Sequence, residues 1–221
     1  MNPSQIIVPA SEAEILSGDF HPLMEQVGSA EGLAMVELVN ASLQLDRFHD
    51  FAGLKRFLEN YRVQQLVPLE LPLICRAFAH ASRHEFSELI ALDQQQTHEP
   101  RQAMFASASQ RIGKLQLKRL RPLRDQRGLQ RYLRAVDEGQ ANAWHTIIYG
   151  VTLASFSMPL RQGLLHYSAR VLSGFVQSSG GFERFPQDDC DALIEENLAT
   201  IPPEIDRALL SSQINPKIQI S

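Results

Sequence analysis

Residues 144–179 read WHTIIYGVTLASFSMPLRQGLLHYSARVLSGFVQSS, and their spacing decides the fold class. Trp144, Ile147, Val151, Ala154 and Met158 lie three, four, three and four residues apart, which lines them along one side of a 3.6-residue helix. Leu160, Leu164, Tyr167, Val171 and Phe175 repeat the pattern. Between the two sets stands Pro159, suited to a first helical turn because its missing N–H costs nothing there, with Ser157 as a candidate N-cap. The stretch therefore predicts two packed helices joined by a very short connection. Neither helix carries a catalytic set, which points towards a scaffold.

Glycine adds a second signal. Gly150 sits mid-helix, and Gly163 and Gly174 are eleven residues apart, nearly on one side of the second helix. An interior glycine costs about 0.5–1 kcal/mol relative to alanine, and close approach of another helix backbone would offset that cost. This favours a many-helix bundle.

Outward from the hairpin, the chain reads as successive helices: Glu31–Leu45, Ala52–Gln65, Glu70–Ser82, Glu85–Gln95, Arg101–Leu120, Gly128–Val136, Ala141–Ser157, Pro159–Ser178, Gln187–Leu198 and Pro203–Ser211. Loops are expected around Gly18–Met24, Gln96–Pro100 and Gly180–Pro186. β-branched residues are scattered and no hairpin dipeptide separates alternating runs, so strands are not expected. The expected fold is all-α, a compact single-domain bundle of about ten helices over residues 1–221, with 1–25 and 213–221 as flexible or partner-ordered ends.

Composition is ordinary for a globular chain: of 221 residues 44% are hydrophobic and 21% charged, enough to bury a substantial core. No apolar run approaches the ~20 residues that span a bilayer, and the N-terminus lacks a basic stretch followed by an apolar one. A cytoplasmic location without membrane attachment is expected. Cys75 and Cys190 stand far apart with no CxxC, so both read as reduced, half-buried small hydrophobes rather than metal or redox groups.

His80 and His84 are four residues apart on one predicted helix, but Ala81 and Arg83 occupy the slots where zinc-binding helices carry glutamate. Without a third ligand they read as partly solvated histidines on an outer face, and neither a metal nor a cofactor is expected. His145 and His166 could each act as a base, yet no nucleophile or orienting carboxylate can be named beside them. No phosphate-binding glycine loop or nucleophile elbow occurs, so the chain is not expected to be an enzyme.

Charge is distributed unevenly. From Arg111 to Arg134 there are nine Lys or Arg against one acidic residue, Asp125, so a segment of +8 sits on a remainder of −12, giving the net −4. Ile112, Leu115, Leu120, Leu123, Leu129 and Leu133 interleave with these charges at roughly helical spacing, which predicts amphipathic helices with solvated basic faces. Such a surface suits an acidic protein partner; nucleic acid is the less favoured occupant.

The hairpin resembles the C-terminal half of the urease accessory protein UreF family. In that family a helix with His, then an aromatic and Gly, runs through small residues into a second helix with an Ala-Leu-x-x-Tyr and Ser-Asn pattern. This chain supplies His145, Tyr149, Gly150 and Ala154, then Leu160, Leu164, Tyr167, Ser173 and Val176. Upstream, Ser109 to Gly113 (S-Q-R-I-G, including Arg111) resembles the family's S-R-R-M-G. Leu71, Pro72 and Leu73 resemble its D-L-P-L segment leading into Arg76 and Ala77, and Gly32 and Leu33 fit an N-terminal Gly-Leu.

Several polar signatures differ. Val27 to Ala30 replace F-S-x-S, Ala34 stands for Glu, Ser173-Gly174 for Ser-Asn, and RFPQDDCD keeps only Gln187 of P-L-x-Q-x-x-G-Q. At the C-terminus Ser211 and Asn215 replace His and Tyr, while Lys217 and Ser221 stand at the family's Arg and final Ser.

The resemblance implies a non-enzymatic, all-α, homodimeric chaperone in urease maturation. It would bind a UreD/UreH-type scaffold, recruit the GTPase UreG, and through the complex help insert nickel into apo-urease. Partner contacts are then expected at Ile214, Lys217, Ile218 and Ser221 of the tail, and at Gly32, Leu33, Arg111, Gly113, His145, Tyr149, Gly150, Tyr167, Ser173 and Gln187. Lysine keeps the charge of arginine at position 217 but not its planar fork, so that contact is expected to be weaker or differently specified. Two other readings remain: a diverged UreF-like helical interaction protein serving a different partner, and a nucleic-acid-binding helical protein.

Overall fold

A computed structural model describes residues 50–100, 103, 106–121, 123, 127–178 and 184–214. The helices run in the order α1 (Phe51–Tyr61), a π-helical segment (Arg62–Glu70), α2 (Leu71–Ser82), α3 (Phe86–Thr97), α4 (Ala106–Leu120), α5 (Arg127–Asp137), α6 (His145–Ser155), α7 (Leu160–Ser178), α8 (Gln187–Leu198) and α9 (Ile201–Ile214). No strand occurs among the described residues, and the all-α expectation holds. The helix expected at Glu31–Leu45 lies outside them. No helix among these residues is long and apolar enough to cross a membrane.

One expected break is absent. Two helices were expected on either side of Pro68, but the chain stays helical from Phe51 to Ser82. An α-helix cannot take an interior proline without losing a hydrogen bond and clashing with the carbonyl four residues back. Here the backbone widens to π spacing around Pro68, and Leu71 N–H donates to Leu66 O, five residues back.

Two apolar cores share a wall. Leu54, Leu58, Leu66, Ile74, Leu153, Leu172, Phe175, Leu193 and Ile205 fill one, between α1, the π segment, α2, α6, α7, α8 and α9. Leu73, Ala77, Leu89, Leu117, Leu129, Tyr132, Trp144, Ile147 and Val151 fill the other, between α2, α3, α4, α5 and α6. Helices α2 and α6 send side chains into both. Cys75 and Cys190 are unpaired thiols buried in the first core, and burial pushes the Cys75 thiol up to about 11.

The hairpin forms, but its first helix packs mainly elsewhere. Helix α6 meets α7 at Gly163, which faces the Leu153 side chain, and its closest backbone neighbour is α2. A Cβ on Gly150 would lie 2.6 Å from Ile74 O and 2.9 Å from Phe78 N, so glycine lets two helix backbones touch. Ser157 is not an N-cap. It takes a left-handed φ of 53° and closes the end of α6, with Ser157 N–H donating to Ala154 O and Met158 N–H to Leu153 O. The first turn of α7 starts instead from Pro159 O, which accepts from Gly163 N–H.

His84 also departs from expectation. It lies beyond the end of α2 with φ 57° and stacks on Phe86, whereas His80 Nδ1 pairs with Glu85 Oε2 at 2.8 Å. The two histidines therefore do not share a helix face.

Replacing Gly150 by alanine forces α2 and α6 apart, because backbone cannot yield as a side chain does. The expected loss is about 1–3 kcal/mol, read as a lower midpoint in thermal or urea unfolding. An unchanged midpoint would contradict this packing.

Candidate functional site

Helix α6 is buried over its length from His145 to Leu153, so the backbone N–H groups around its amino end need partners from the protein itself. The side chain of Trp144, at the N-cap position, does not help. The partners come from other helices. Asp93 of α3 accepts from the N–H groups of Asn142, Ala143 (3.0 Å) and Trp144 (3.3 Å), and from the hydroxyl of Tyr132 at 2.7 Å. Ser109 Oγ of α4 accepts from His145 N–H at 3.0 Å.

The sequence S-Q-R-I-G acquires a physical meaning here. Ser109, Ile112, Gly113 and Gln116 form the inner face of α4 against the start of α6. A Cβ on Gly113 would fall 1.8 Å from Ala143 O, so only glycine allows this approach. Ala143 itself has φ 60°, a conformation that costs an L-residue energy and is held by the Asp93 bonds on either side of it. Gln116 Oε1 faces His145 Nδ1 at 3.0 Å.

His145 is fully enclosed, and burial lowers its imidazole to about 4. At neutral pH it is uncharged, and its Nδ1–H donates to Gln116 Oε1. Its ring packs against Tyr167 (centroids 5.8 Å apart) and Tyr149 (6.4 Å), which are themselves 5.1 Å apart. Tyr149 donates its hydroxyl to Gly163 O at 2.9 Å, tying α6 to α7.

A second buried carboxylate lies at the other end of this aromatic group. Glu70, which ends the π segment directly before Leu71-Pro72-Leu73, accepts from Tyr61 at 2.7 Å and from Tyr167 at 2.8 Å. Burial raises its carboxyl above the usual range, while the two hydroxyls act against that rise. Neither Glu70 nor Asp93 was singled out from the sequence. The one available signal is a lone acid inside an apolar run, as in VPLELPLI for Glu70.

The residues expected to contact partners thus divide by position. Gly113, His145, Tyr149, Gly150 and Tyr167 are buried and build the fold, so their side chains are out of reach of a docking protein. Ser173 is half-buried. Gln187 is exposed, and its amide donates to Asp191 one turn along α8. Arg111 is exposed on α4. Ile214 is the last residue of α9, and Gly32, Leu33, Lys217, Ile218 and Ser221 lie outside the described residues.

The UreF family model matches residues 48–179. The chain belongs to the UreF family. The match spans every element from α1 to α7, and with it the π segment, both buried carboxylates and the S-Q-R-I-G contact. Compared with curated proteins, the chain matches none. UreF membership supports a urease accessory role in general.

The buried groups give two pH dependences of opposite sign. His145 titrates near 6.5 unfolded but at about 4 folded, so the stability it contributes is present above pH 6.5 and lost as pH falls towards 4. The expected loss is roughly 3 kcal/mol, measured as urea midpoints across that window, and His145→Gln should flatten the curve. Glu70 is raised in the fold, so its contribution is present below its unfolded value of 4.5 and is lost as pH rises above it. Glu70→Gln should therefore reduce the decline on the alkaline side relative to the native chain; an identical pH profile would contradict the burial of this carboxyl.

Proposed function

We propose that this UreF-family chain is a urease-maturation scaffold without catalysis of its own. It binds a UreD/UreH-type protein, recruits a UreG-type GTPase, and acts as a homodimer in a complex that delivers nickel to apo-urease. The observation that carries this reading is the family match over residues 48–179. The geometry agrees with it. The motif residues His145, Tyr149, Gly150 and Tyr167 serve packing, and the surface pair of His80 with Glu85 is shared with Arg83 in a simple ion-pair cluster.

The tail after α9 is the proposed UreD/UreH contact, with Ile214 as the last residue of that helix and Lys217, Ile218 and Ser221 following it in sequence. A second reading, a UreF-like protein serving a different partner, is favoured by the altered polar signatures at both ends of the chain. Gene neighbourhood separates the two, since a urease factor is expected beside urease structural and accessory genes.

Co-purification of the full chain with its cognate UreD/UreH and UreG proteins is the direct test, with and without GTP and nickel. A ternary complex is expected. Deleting residues 215–221 should abolish UreD/UreH binding and leave the unfolding temperature within about 2 °C. Failure of the intact chain to bind either protein would refute the scaffold reading.

A further inference from the structure

The inner face of α4 is fixed by Gly113 and Ser109, which also fixes what its outer face presents. Arg111, Lys114, Leu115 and Lys118 follow one another at three, four and seven residues from the first, so they form a single stripe along about 10 Å of helix. All four are exposed, and Leu115 keeps 46% of its surface in solvent. The sequence had placed Leu115 among the inward residues; the stripe puts it between cations instead.

Helix α4 contains no acidic residue to neutralise these charges. Beyond its end the pattern changes, because Arg121 is bound by both carboxylate oxygens of Asp137 at 2.7 and 2.9 Å. With cations on either side of Leu115, this face has the pattern of an interface with an apolar centre and a charged rim.

We propose that the outer face of α4, formed by Arg111, Lys114, Leu115 and Lys118, docks an acidic protein surface that presents an apolar residue between its carboxylates. This deepens the scaffold reading and rests on it. Charge complementarity identifies the occupant: a surface of carboxylates meets the three cations, while Leu115 requires an apolar counterpart that a phosphate backbone does not offer. Nucleic acid is further disfavoured by the aromatic inventory. The only aromatic residue from 106 to 137 is Tyr132, which is 0% exposed, so this stretch itself offers no ring to stack a base.

The test uses the full chain and measures association and dissociation rates with its purified cognate UreG-type and UreD/UreH-type proteins, and with a duplex oligonucleotide, at several salt concentrations. Lys114→Glu with Lys118→Glu should slow association with one of the two proteins roughly tenfold or more at low salt and flatten its salt dependence, since charges at an interface rim act mainly on encounter. Lys114→Arg with Lys118→Arg should restore both. Leu115→Ala should instead speed dissociation by about threefold or more, as expected for lost apolar contact. All three positions are exposed, and an unchanged unfolding midpoint checks that the fold is intact.

Native association with variants unchanged within about twofold for both proteins would overturn the docking surface and leave the scaffold reading standing. Tighter, salt-sensitive binding of the duplex than of either protein would also overturn it, in favour of nucleic acid. If the native chain binds neither protein, the scaffold reading falls, and this assignment falls with it.

Discussion

The structure depends on one constraint: a helix buried on every side must have its ends satisfied by other parts of the protein. Helix α6 is such a helix, apolar nearly all round and enclosed from His145 to Leu153. Leaving its first-turn N–H groups unpaired in a dry interior would cost about 1–3 kcal/mol each. Asp93 of α3 holds the backbone that leads into the helix, through Trp144 at its N-cap, and Ser109 of α4 accepts from His145 N–H, while the carboxyl end closes on itself through Ser157 and Met158. Helices distant in sequence are thereby bound to one another before any apolar area is counted. Gly113 and Gly150 let the backbones come close enough for this to work.

The same logic explains the second polar centre. Glu70 sits in the other core, and both its oxygens are occupied by tyrosine hydroxyls, one from α1 and one from α7. Tyr167 also packs on His145, so the polar groups at the start of α6 and at the end of the π segment are connected through a set of rings packed at tilted angles. Pro68 belongs to this arrangement, because the widened helical turn around it carries the chain straight into α2 with Glu70 facing inward. These are internal tasks. They account for why residues that carry the family likeness most clearly are remote from solvent.

The helical character of the chain was legible from spacing alone, since the apolar positions of α6 and α7 repeat at 3.6 and their boundary falls at Pro159. Gly150 signalled a close helix approach, yet nothing in its neighbours says that the approaching backbone is α2 rather than α7. That information lies in three-dimensional packing. The inner face of α4 was misread at Leu115 because hydropathy follows apolar residues, whereas the true inward row includes polar Ser109 and Gln116, each buried to cap or orient His145. Glu70 and Asp93 were missed for a related reason. A single carboxylate in a helix is usually solvated, and only the positions of Tyr61, Tyr167, Tyr132 and the α6 backbone make these two internal.

Charge at the surface can be sorted by whether the fold already uses it. The acids of α8 have internal employment: Asp188 and Asp189 lie in its first turn, where the helix dipole favours them, and Glu196 holds Lys55 of α1 at 2.8 Å. Asp206 of α9 holds Arg161 of α7 at 2.9 Å. Arg111 and Lys114 differ, because they lie midway along a helix without acids, away from the last-turn carbonyls that a cation would stabilise, and Lys118 in the last turn extends their row. Like charges at that spacing repel, each pair by a few tenths of a kcal/mol, so the stripe is a small net cost to the isolated chain. A cost of that kind, placed on the outer face of the helix whose inner face positions α6, is offset when an acidic surface covers it. The fold thus presents this basic face from a helix anchored on α6 through Gly113 and Ser109, which keeps the spacing of the charges fixed before a partner arrives.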